Sequence, residues 1–131
     1  MKYVVFIIIA LIVLNSCNQK KEISQSEVTK IEVYHIPFEL LFPTQSNESS
    51  IRKVKNYSIV DNATIKEIKM QIANLSSSKW NKFNENNIYL LCDFYTKDGR
   101  TFTLKFDKNY IDIDGSSYHN NVSLISILTK D

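Results

Sequence analysis

The chain has 131 residues, which is enough for one domain and too few for two of ordinary size. Its 16 basic and 14 acidic side chains leave a formal net charge of +2, and Arg52 and Arg100 are its arginines. This balance does not indicate nucleic-acid binding, which uses Lys and Arg clustered on one face. Two cysteines exclude a disulfide-rich scaffold, and two glycines exclude collagen-like and Gly-rich linker sequences.

An apolar run from Val4 to Leu14 follows Lys2 near the N-terminus. As a helix, this run would span roughly 16 Å, about half of a hydrocarbon core of roughly 30 Å. The pattern therefore predicts a cleaved signal peptide rather than a permanent transmembrane helix.

The sequence Leu14-Asn15-Ser16-Cys17 resembles the lipobox of bacterial lipoproteins, with Asn15 as its one departure. The resemblance covers residues 1–17. It implies a signal peptide over residues 1–16, an acylated Cys17 as the mature N-terminus, and a protein held at a cell-envelope membrane, facing the periplasm or the surface. Each buried methylene contributes about 0.8 kcal/mol, so two or three acyl chains anchor firmly. The alternatives are an ordinary secretory signal with a free Cys17 thiol, and an uncleaved anchor.

Residues 17–27 are expected to form the lipidated cysteine and a flexible tether. The stretch 18–27 is polar, contains no aromatic residue and has only Ile23 to bury, which would not repay the entropy of ordering it. Lys20 and Lys21 could also contact anionic headgroups. A single folded domain is predicted over residues 28–131.

Two strands and a helix are predicted in the first half of this domain. The strands cover about 28–38 and 51–60, with a polar loop between them. Asp61 or Asn62 caps a helix. Its apolar residues recur at spacings of three and four: Ile65, Ile68, Ile72 and Leu75.

A hairpin is predicted on either side of Gly99. Apolar residues alternate along its two strands: Ile88, Leu90, Cys92 and Phe94, then Phe102, Leu104 and Phe106. A two-residue turn would put the two sets on opposite faces, whereas a three-residue loop over 97–99 pairs Phe94 with Phe102 and makes one face wholly apolar. Burial should select the second register, with Gly99 in the left-handed conformation.

A third strand over 110–113, a turn at Asp114-Gly115 and a short helix capped by Asn120 or Asn121 complete the chain. The predicted order is ββαβββα. The fold class is α+β, a small antiparallel sheet with one long and one short helix packed on one face.

No catalytic, metal or cofactor motif emerges from the sequence. Cys92 lies on the predicted apolar face and has no histidine at motif spacing. A calcium loop starting at Asp112 fails, because Ser117 stands where Gly is required and Ser123 where Glu is required. We expect no catalytic residue, no metal and no cofactor.

The candidate partner surface consists of Tyr89, Leu91 and Tyr95, which would line the outer face of one strand. The alternative is that the last helix or the 37–50 loop covers that face as a second layer.

The function predicted from these features is a non-catalytic, lipid-anchored binding protein of the cell envelope, with a protein or small ligand as partner and an oligomeric state left open. The alternatives are an immunity or inhibitor lipoprotein that neutralises a toxin or enzyme, a small envelope hydrolase using carboxylates such as Asp93 and Asp107, and an architectural module that donates a sheet edge.

Overall fold

A computed structural model describes residues 19–37, 45–80 and 83–130, so the predicted signal peptide and Cys17 lie outside the described residues. The strands are β1 (Val28–His35), β2 (Asn56–Ile59), β3 (Leu90–Thr96), β4 (Thr101–Phe106), β5 (Tyr110–Ile113) and β6 (Ser116–His119). The helices are α1 (Gln19–Gln25), α2 (Glu48–Ile51), α3 (Asn62–Ala73) and α4 (Val122–Thr129). The strands form one open antiparallel sheet in the order β2-β1-β3-β4-β5-β6, and the predicted α+β class is confirmed.

The predicted register of the β3–β4 hairpin is also confirmed. Phe94 pairs with Phe102 and Cys92 with Leu104. Gly99 has a φ of +87°, the left-handed conformation that the three-residue loop requires. The choice follows from burial, because this register places the apolar residues of both strands on the same side of the sheet.

The main core lies between that apolar face and the helices α1, α3 and α4. Phe94 and Phe106 are the largest fully buried side chains of the sheet. The helices contribute an apolar residue from each turn that faces the sheet: Ile23, Ile65, Ile68, Ile72, Leu124 and Leu128. A buried phenylalanine such as Phe94 contributes about 3–5 kcal/mol relative to alanine.

Side-chain caps set the starts of the two longer helices. Asp61 is the N-cap of α3 and accepts a hydrogen bond from the backbone N–H of Thr64 at 2.9 Å. Asn121 caps α4 through the N–H of Leu124 at 3.0 Å. Each cap satisfies a backbone donor that the helix itself cannot pair.

The predicted flexible tether is corrected from Gln19 onward, because residues 19–25 form helix α1. Ile23 is 0% exposed in the main core, and the ammonium of Lys20 donates to the carbonyl of Leu75 at 3.1 Å. At the other end, the ammonium of Lys69 on α3 donates to the carbonyl of Ser26 at 2.6 Å. A single apolar residue gives no periodicity, so the sequence does not reveal this docking.

Two further elements differ from the predicted order. The second strand begins at Asn56 rather than near Ile51, because Asn47 and Ser50 form a capping box that starts α2. Strand β6 was not predicted. It forms because Asp114 and Gly115 both have positive φ, 49° and 83°, which is the geometry of a two-residue hairpin.

Candidate functional site

The face of the sheet opposite the main core is only partly covered. Residues 45–54, including α2, cover the part of this face around Leu91. There Ile51, Ile88 and Leu91, each 0% exposed, form a small second apolar cluster. Besides Lys105, six side chains from β1, β3 and β4 keep partial or full exposure on this side. We call them the open face: Lys30, Glu32, Tyr34, Tyr95, Thr101 and Thr103.

The Glu32 carboxylate is the centre of the open face. It accepts hydrogen bonds from the hydroxyls of Tyr95 at 3.2 Å and Tyr34 at 3.4 Å, and the ammonium of Lys30 lies 3.0 Å from its other oxygen. That ammonium also lies 4.7 Å from the ring centroid of Tyr95, within cation–π range. These contacts hold two aromatic rings in fixed positions.

Both of these tyrosines remain proton donors. Partial burial raises the pKa of the Tyr34 hydroxyl, and the negative charges of Glu32 and Asp93 add to that effect. Burial likewise raises the pKa of Tyr95, with Asp93 and Glu32 contributing. The site therefore offers aromatic area with protonated hydroxyls directed at one carboxylate.

Asp93 lies beneath the open face and ties the α2 segment to the sheet. It is 3% exposed and accepts two hydrogen bonds from the Arg52 guanidinium, at 2.5 and 3.1 Å, and one from the Thr103 hydroxyl at 2.7 Å. The bond to Asp93 raises the pKa of Arg52. Arg52 also lies 5.8 Å from the ring centroid of Tyr34, so one guanidinium links the buried carboxylate, α2 and the open face.

A cleft of about 320 Å³ adjoins the open face. Its wall includes Thr101 and Thr103 of the open face together with Gln19, Glu48, Glu85, Lys105, Asp112, Asp114 and Gly115. The Lys105 ammonium lies 3.1 Å from Glu85 and 3.8 Å from each of Glu48 and Asp112. Burial lowers the pKa of Lys105, but the bond to Glu85 and the three acidic charges outweigh it and raise the value.

The carboxyl of Asp112 has a raised pKa in this cleft. Burial raises its pKa, although the charge of Lys105 opposes the shift. Among the residues that the structure describes, no three His, Cys, Asp or Glu side chains are placed to hold a metal ion together. The cleft is an ion-pair network with acidic charge in excess.

The predicted partner residues Tyr89, Leu91 and Tyr95 do not share one exposed surface. Leu91 is 0% exposed under the α2 segment and Tyr89 is 8% exposed, while Tyr95 is partly exposed. The covering layer is the segment 45–54, whose Ile51 and Val54 pack over Leu91; it overlaps the 37–50 loop of the alternative and extends beyond it. Tyr89 lies in the main core, where burial raises its pKa to about 12 and its ring meets the edge of His35 at 6.2 Å between centroids.

The open face contains Tyr95 of β3 together with Tyr34 of the neighbouring strand β1. Tyr34 pairs with Leu91, and Lys30 pairs with Tyr95, in the register of the two strands. The alternation of Lys30, Glu32 and Tyr34 along the first predicted strand is the sequence pattern that indicates a common face for these three side chains. The order of β1 next to β3 was not predicted, so the sequence did not bring the two tyrosines together.

The two carboxylates considered for hydrolysis have separate partners. Asp93 is bound by Arg52 and Thr103, whereas Asp107 accepts hydrogen bonds from three backbone N–H groups at 2.6–2.8 Å: those of Asn84, Asn109 and Tyr110. Asp107 thereby shapes the loop between β4 and β5. Cys92 is fully buried, and burial raises the pKa of its thiol, which opposes formation of the nucleophilic thiolate.

Models of known protein families, curated proteins and solved structures give no match to this chain. Within residues 19–37, 45–80 and 83–130, no helix has the length and apolar character needed to cross a bilayer.

Proposed function

We propose that the chain is a non-catalytic, lipid-anchored binding protein of the bacterial cell envelope, whose partner is a protein that docks on the open face. The anchor rests on the likeness of Leu14-Asn15-Ser16-Cys17 to a lipobox. One observation carries the binding role: Tyr34 and Tyr95 are held on either side of Glu32, with their hydroxyls bonded to its carboxylate.

This arrangement suits recognition because its geometry is set before a partner arrives. Tyrosine offers a large contact area and a polar tip at a small cost in side-chain entropy. The hydroxyls are already positioned by Glu32, and the guanidinium of Arg52 lies over the ring of Tyr34. Less ordering is then required on binding, which favours affinity.

The dimensions favour a protein partner. Neighbouring strands lie about 4.8 Å apart and rise about 3.3 Å per residue, so the open face spans roughly 10 Å across β1, β3 and β4 and roughly 13 Å along β1. A handful of clustered side chains, with tyrosine prominent among them, supplies most of the binding energy of a protein interface. The polar side chains around it would form the rim of that interface.

Site-specific photo-crosslinking in cells tests this proposal. A photoreactive phenylalanine analogue replaces Tyr95, and the matched control replaces Lys66, which is exposed on α3 at the other side of the sheet. We expect one discrete adduct from position 95 and none from position 66. Failure of position 95 to form an adduct, or the same adduct from both positions, would contradict the proposal.

The energetic role of the open face is then measured with the captured partner. Central contacts in a protein interface cost about 2 kcal/mol or more when truncated, which is roughly a 30-fold change in Kd. We expect Tyr34→Ala with Tyr95→Ala to weaken binding by at least this factor. Lys66→Ala should leave Kd unchanged, and circular dichroism should show both variants folded.

A further inference from the structure

Helix α1 fixes the position at which the N-terminal segment meets the folded domain. Ile23 is completely buried, and the ammonium of Lys20 donates to the carbonyl of Leu75 while lying 5.5 Å from the ring centroid of Tyr118. Glu22 of α1 lies 3.8 Å from the Arg100 guanidinium at the β3–β4 loop. The helix is therefore attached to the domain along its length.

Little chain separates α1 from Cys17. Two residues span at most about 7 Å, so any acyl group on Cys17 begins within that distance of Gln19. Gln19 itself lines the same cleft as Gly115 of the β5–β6 turn. An anchor at Cys17 would hold this end of the domain close to the bilayer.

The segment that leads to Trp80, the most exposed aromatic side chain of the described residues, runs toward the same end. Residues 76–78 run antiparallel to β6: Ser76 bonds to His119, Ser77 bridges Tyr118, and Ser78 bonds to Ser117. Each step along this segment approaches Ser116 and Gly115. Trp80 follows two residues later and is 70% exposed.

We propose that the end of the domain at the β5–β6 turn is a membrane-contact surface. At this surface, Trp80 inserts into the lipid headgroup region near the acylated Cys17. The proposed surface consists of Gln19, Lys21, Lys79, Trp80 and Gly115. This inference rests on the proposed lipid anchor and adds a fixed orientation to it: the domain sits on the bilayer by one end and does not hang from a tether.

The chemistry of the surface fits a bilayer interface. Indole combines a large apolar ring with one N–H donor, and tryptophan is enriched where hydrocarbon meets water. Lys79, the chain neighbour of Trp80, and Lys21 on α1 are both exposed, and lysines attract lipid phosphates. The excess acidic charge of the cleft that Gln19 and Gly115 line, including the exposed carboxylate of Asp114, offsets that attraction, so the indole ring and the acyl chains make the contact.

Trp80 is the single tryptophan of the chain, so its fluorescence tests the inference directly. The acylated protein is extracted from membranes in detergent and reconstituted into vesicles of phosphatidylcholine and phosphatidylglycerol, with and without brominated acyl chains. We expect a shift of the Trp80 emission to shorter wavelength on reconstitution and a loss of emission with the brominated lipids.

The matched control moves the tryptophan to the far end of β6. Val122 is 75% exposed at the start of α4, so Trp80→Phe with Val122→Trp gives a reporter of similar exposure away from Gly115. It should show no shift and no quenching by bromine. Equal quenching at both positions, or none at Trp80 in acylated protein, would overturn the membrane-contact surface and leave the anchor standing. Absence of acyl chains by mass spectrometry would overturn both.

Discussion

Replacing Ile23 with alanine tests whether α1 is part of the folded domain. Ile23 is 0% exposed and packs in the main core between α1 and α3. Truncating a buried isoleucine to alanine costs about 2–5 kcal/mol. Because α1 is short and lies at one end of the fold, the site can relax, and we expect the lower part of that range, about 2–3 kcal/mol.

The assay is urea denaturation followed by circular dichroism, with thermal unfolding as a second measurement. For a domain of this size, we expect Tm to fall by roughly 8–12 °C, at about 4 °C per kcal/mol. Lys21→Ala on the exposed side of α1 is the matched control and should change the free energy of unfolding by less than about 0.5 kcal/mol. An Ile23→Ala variant as stable as Lys21→Ala would show that α1 is a free tether and refute the docking.

Three further predictions concern the sheet and the residues beneath the open face. Arg52→Ala should lower the free energy of unfolding by about 3 kcal/mol, because it leaves the buried Asp93 carboxylate with only Thr103 as a partner. Adding Asp93→Asn to the Arg52→Ala chain should restore part of the lost stability. If the losses of the two single variants simply add in the urea assay, Arg52 and Asp93 are not coupled. Phe94→Ala should cost about 3–5 kcal/mol in the same assay, and a smaller loss would mean a looser core. Cys92 should resist iodoacetamide in native protein and react in guanidinium, since burial raises the pKa of its thiol; rapid native labelling would contradict that burial.

The sequence predicts those elements in which one physical pattern dominates. The β3–β4 register follows from alternation, because only one register puts Phe94 and Phe102 on one face. Helix α3 follows from the spacing of its isoleucines and from the cap at Asp61. In both cases the information is local, within about twenty residues of the chain.

The elements that sequence reasoning missed depend on contacts distant in the chain. Helix α1 is ordered by contacts with α3 and with the carbonyl of Leu75, which lies 55 residues beyond Lys20. The pairing of β1 with β3 brings Tyr34 and Glu32 beside Tyr95. Neither the docking of α1 nor the pairing of β1 with β3 can be deduced from periodicity. The sequence therefore predicts a partner surface along one strand, whereas the open face extends over neighbouring strands.

The intact mass of the native protein purified from membranes tests the central claim of a lipid-anchored binding protein most directly. The account predicts a chain that begins at Cys17, has lost residues 1–16 and carries diacylglyceryl and acyl groups on that cysteine. A chain that retains Met1 to Ser16, or one that begins at Cys17 with no added lipid, would contradict it.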